Sequence, residues 1–147
     1  STISETDKLR QECAYYYSIS EILLKKGRYK KAEDSYRIAF NLAEQTNWKR
    51  VSAYTASWLA VTLLERHEFD EAEMLINTTL KSAKEHMDKR SLARLYHILA
   101  SLYEKKGDLV GFLKCAELAI EQFEKLGMTA AVTQVKQWME NSPTSKD

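Results

Sequence analysis

Three histidines, His67, His86 and His97, and two cysteines, Cys13 and Cys115, are among the side chains of this 147-residue chain best suited to nucleophilic, acid–base or metal chemistry. Their spacing supports none of it. No histidine pairs with an acid and a nucleophile at a suggestive separation, no Cys-x-x-Cys occurs, and no His/Cys pair has zinc spacing. Glycine-rich phosphate loops, HExxH and GxSxG are missing too. The chain therefore reads as a non-enzyme, without catalytic residues, metal or cofactor. The cysteines read as free, buried thiols of a reducing cytoplasm.

What the residues do organise is a repeat. Gly27-Arg-Tyr-Lys-Lys-Ala32, His67-Glu-Phe-Asp-Glu-Ala72 and Gly107-Asp-Leu-Val-Gly-Phe112 return at a spacing of forty, each between two stretches of helical periodicity. A period of that size predicts stacked helix pairs, each burying the face of its neighbour. One Pro and four Gly leave few breaks, which points to an all-α chain. The first helix begins after Ser4, with Asp7 in a capping-box position, and ends at Gly27, where a left-handed turn costs glycine nothing. The second starts near Tyr29 and stops near Asn47. His67 stands where Gly27 and Gly107 stand, in a turn that histidine tolerates better than most side chains.

Matched small residues predict close helix approach: Ser20, Ala60 and Ala100 in the first helices, Ala39, Thr79 and Ala119 in the second. The predicted organisation is one domain, residues 1–147: helix pairs over about 5–47, 48–87 and 88–127, a capping helix at 129–141 and a flexible tail at 142–147. Trp48 and Trp58 read as packing anchors, and the run Lys25–Lys31 as a solvated basic turn. A net charge of +1 gives no electrostatic case for nucleic acid. No apolar run approaches the ~20 residues that span a bilayer, and no signal peptide is visible. The expected location is the cytoplasm. The chain starts at Ser1, without Met, and reads as a fragment of a longer protein.

The stretches Leu24-Lys-Lys-Gly-Arg-Tyr-Lys-Lys-Ala-Glu-Asp-Ser-Tyr-Arg-Ile-Ala39 and Leu64-Glu-Arg-His-Glu-Phe-Asp-Glu-Ala-Glu-Met-Leu-Ile76 resemble tetratricopeptide repeats (TPR). The third unit matches at its turn and at Ala116 and Ala119, with Phe112 in place of the expected alanine. The resemblance implies a right-handed α-α superhelix, three helix pairs plus a C-terminal cap. The forty-residue period exceeds the usual thirty-four and is similar to that of the Rap and NprR type of bacterial peptide-sensing regulators.

In such arrays the first helix of each pair lines a concave groove. The resemblance thereby nominates Tyr17, Glu21 and Leu24, then Tyr54, Ser57, Val61 and Leu64, then Arg94, His97, Ser101 and Glu104 as peptide- or protein-binding residues. Val61 and Leu64 favour a partly apolar ligand, and Arg94 suits a carboxylate. The clamp that grips chaperone tails is not matched, because Glu21 would repel a carboxylate. The function expected is a non-catalytic protein- or peptide-binding module without membrane or specific nucleic-acid contact. Two alternatives stand beside it: the C-terminal ligand-sensing part of a peptide-responsive regulator, and a scaffold that self-associates through exposed ends at Tyr15 or Trp138.

Overall fold

The computed structural model describes residues 4–142. Among them are seven helices and no strand: α1 (Glu5–Lys25), α2 (Tyr29–Gln45), α3 (Lys49–Glu65), α4 (Phe69–Glu85), α5 (Lys89–Lys105), α6 (Leu109–Lys125) and α7 (Thr129–Asn141). From α2 onward a helix begins every twenty residues, and α2 to α6 are each 17 residues long. The forty-residue period is two such helices with two three-residue links.

The links share one backbone mechanism. The residue after each helix cap turns left-handed, at Gly27, Asn47, His67, Met87, Gly107 and Gly127, with φ between 52° and 75°. At each, the turning N–H and the next one bond back into the last helical turn: Gly27 N to Leu24 O at 3.0 Å and Arg28 N to Leu23 O at 2.9 Å. The same pair recurs down to Gly127 N to Glu124 O and Met128 N to Phe123 O, so carbonyls that the helix end leaves open are satisfied six times over. His67 adopts the expected positive φ. Met87 does so without any local preference for it, at a cost of ~1 kcal/mol. At the other end of the chain, Ser4 caps α1 by accepting from Asp7 N at 3.1 Å.

Two compact units result, residues 1–72 and 73–147, dividing within α4. In the first, α1 packs on α2 and α2 on α3; in the second, α5 packs on α6 and α6 on α7. The small residues lie where helices meet: Ser20, Ala39, Ala60, Ala100 and Ala119 are all fully buried. Cys13 and Cys115 are buried free thiols. Trp48 packs on the Cys13/Ala39/Ala43 cluster, with the Arg10 guanidinium 4.9 Å above its ring. Of the three consecutive tyrosines, Tyr15 is exposed and Tyr16 and Tyr17 are half-buried.

Two features depart from expectation. In the third unit Phe112 is fully buried against the Trp138 ring, and next to it in the chain Gly111 leaves the space that the Tyr103 ring occupies. The tail does not begin at Ser142. That residue is 2% exposed, and its hydroxyl donates to Glu104, so Ser142 packs into the fold just past α7. The remainder of the expected flexible tail lies outside the described residues.

Candidate functional site

In the second unit the site is built on α5. Asp88 caps this helix by accepting from Ser91 N at 3.1 Å, which sets the start of its first turn. Arg90, Arg94 and His97 then follow at separations of four and three, on one helix face. Opposite them stand Phe123 and Leu126, from the end of α6. The left-handed turn at Gly127 brings the chain back so that Met128 completes the wall. These six residues line a pocket of about 250 Å³.

The pocket is electropositive over an apolar floor. Arg94 is half-buried, and Arg90 stands at the solvent edge. His97 keeps contact with solvent, while its ring packs beside Trp138 at 5.1 Å and Phe123 at 6.5 Å between ring centres. Burial among these rings lowers the His97 pKa below its ordinary 6.5, so the imidazole is neutral at physiological pH and acts as a hydrogen-bonding group. Two guanidiniums therefore carry the charge. Arginine forks match a carboxylate bidentately, and the floor suits the apolar body attached to it.

Each expected groove residue has a definite place. Arg94 and His97 share this pocket. Ser101 is half-buried on the same helix. Glu104 is engaged within its own unit, accepting from Trp138 Nε1 at 2.9 Å and from Ser142 Oγ. Trp138 also packs its ring on Phe112 at 4.8 Å.

In the first unit, Tyr17, Glu21 and Tyr54 come together. The Tyr17 ring stacks on Tyr54 at 5.6 Å, and Glu21 lies one turn beyond Tyr17 on α1. Leu24 and Val61 are half-buried. Ser57 and Leu64 correct the expectation of an open surface there. Leu64 is 4% exposed and belongs to the core, and Ser57 is 1% exposed, donating to Ala53 O of its own helix at 3.0 Å. The physical reason is that α3 is buried on several sides at once, including Thr55, Ala56, Leu59, Ala60, Thr62 and Leu63. Its apolar stripe consequently does not mark the only covered face.

Arg90, Phe123, Leu126 and Met128 are absent from the expected set. Arg90 had a legible signal, one turn before Arg94 on the same face. The other three come from α6 and its link, which a rule confined to first helices passes over. No family model matches the chain, and no curated protein matches it. Among the described residues no helix is long and apolar enough to cross a membrane, and no three metal-ligating side chains converge.

Proposed function

We propose that this chain is a tetratricopeptide-like binding module, non-catalytic, and that it holds a peptide or protein segment through first-helix side chains. The observation that carries this reading is the α5 pocket, where Arg90 and Arg94 stand over Phe123, Leu126 and Met128. Such a pocket fits a peptide carboxylate flanked by an apolar side chain. The guanidiniums supply charge-assisted hydrogen bonds, and burial of the apolar group supplies the rest. His97, neutral, adds a directional hydrogen bond without adding charge.

The test is fluorescence anisotropy with labelled peptides ending in an apolar residue, each as free acid and as C-terminal amide. The free acids are expected to bind at least tenfold tighter, equivalent to about 1.4 kcal/mol. Arg94→Gln should abolish that difference while helicity is retained. Equal binding of acid and amide, unchanged by Arg94→Gln, would move the site elsewhere.

A further inference from the structure

The first unit holds a second cluster, of opposite charge, that the α5 pocket does not explain. Tyr17 and Glu21 come from α1, Tyr36 from α2 and Tyr54 from α3. The Tyr17 ring stands edge-on to Tyr36 at 5.9 Å and stacks on Tyr54 at 5.6 Å. Tyr36 is fully buried, and its hydroxyl has no hydrogen-bond partner among the described residues. The Tyr17 hydroxyl lies against Tyr54, and burial, then the hydrogen bond with Tyr54, raise the Tyr17 pKa. Buried polar groups are nearly always paired, so the unsatisfied Tyr36 phenol marks a place suited to a hydrogen-bonding ligand. Beside it in the cluster, Tyr54 is 39% exposed and Glu21 is half-buried.

Charge selects what that something is. Burial, then Glu21, then Tyr54 raise the Tyr36 pKa, which puts the carboxylate and the phenol in one field. None of the ion pairs among the described residues includes Glu21. An anion would be repelled here, and a neutral group would leave the carboxylate uncompensated. A cation bearing N–H groups compensates Glu21, donates to phenol oxygens and meets the negative faces of tyrosine rings.

We propose that Tyr17, Glu21, Tyr36 and Tyr54 form a binding site for a cationic side chain, the ammonium of a lysine or the guanidinium of an arginine presented by a peptide. The site lies in the other unit from the α5 pocket and stands on separate observations, so either can fail alone.

The experiment is an NMR titration that follows the tyrosine ring signals of the whole chain. The probes are Nα-acetyl-lysine amide, Nα-acetyl-arginine amide, the neutral Nα-acetyl-norleucine amide, and glycine amide, whose only cation is an α-amine. Saturable shifts at Tyr17, Tyr36 and Tyr54 are expected with the lysine or arginine probe and not with norleucine. Glu21→Gln should weaken that binding at least tenfold. If Glu21→Gln does not fold, Tyr54→Leu, at an exposed position, should give the same loss. The proposal is overturned if neither side-chain cation produces a saturable shift, as when water alone satisfies the phenols. It is equally overturned if norleucine matches them, if only glycine amide binds, or if the folded variant binds as well as the parent.

Discussion

Glu33 of α2 and Arg66, just past α3, form an ion pair across thirty-three residues, and Glu73 and Lys106 repeat it at the same separation at 3.4 Å. Glu33 is buried, and Arg37 and Lys30 share its carboxylate, with Arg37 reaching on to Glu71. The pairing joins a second helix to the end of the next first helix, so it sets register between repeats within a unit. Glu33→Gln is expected to cost ~1–3 kcal/mol in urea denaturation. It should fall short of the ~3–5 kcal/mol of a wholly buried broken pair, because both arginines keep access to water.

Acid should act through the same residue. Burial by itself would raise the Glu33 pKa, but hydrogen bonds from Arg37 and Arg66, with the charge of Lys30, outweigh it and leave the value below the ordinary 4.5. The unfolded carboxyl thus binds its proton first as pH falls. The contribution is complete above about 4.5 and is lost as pH drops through the lower folded value. Glu33→Gln should flatten this acid limb of the stability curve. A limb of unchanged steepness would count against the network.

Gly111 and Tyr103 are complementary in shape. A Cβ at position 111 would lie 2.8 Å from Tyr103 Cγ. Gly111→Ala would ordinarily strengthen a helix by ~1 kcal/mol. Here it should destabilise by ~1–3 kcal/mol, because the ring and the Asp108 carboxylate that caps α6 both have to move. The ring is held at its far end by Tyr103 Oη donating to Glu73 at 2.8 Å, a bond that first, with burial, pushes the phenol pKa up to about 12. Adding Tyr103→Leu, the residue type at the matched position 63, should recover part of the loss in thermal melts.

Met87 carries a positive φ of 52° with a side chain that is 79% exposed. Met87→Gly removes the strain and no packing, and should stabilise by ~0.5–1 kcal/mol. Gly27→Ala, in open space at φ 74°, should cost a similar amount. A fall in melting temperature for Met87→Gly would contradict the left-handed turn at that position.

Glu104 anchors α7 through Trp138 and Ser142. Glu104→Ala removes their shared acceptor, with an expected loss of ~1–3 kcal/mol. Hydrogen exchange should quicken in α7 well before it does in α5. Uniform acceleration of both helices would assign Glu104 a broader role.

Helix boundaries were legible because they depend on local chemistry. Glycine, asparagine and histidine at positions 27, 47, 67, 107 and 127 relieve a left-handed backbone, and each announces its turn. Met87 announces nothing, and only the period places a turn there. The matched small residues likewise forecast the tight contacts, since close approach of two helices requires little more than a missing side chain.

Solvent access could not be assigned in the same way. Whether Leu64 and Ser57 face water or core depends on how many neighbours cover α3, and that is set by packing among distant segments. The α5 pocket draws its floor from Phe123, Leu126 and Met128, some thirty residues along from Arg94. The phenols of Tyr17, Tyr36 and Tyr54 come from three helices whose side chains no local rule brings together. Periodicity specifies which residues share a helix face. The assembled helices alone determine what that face meets, because burial and electrostatic field are sums over neighbours far apart in the chain.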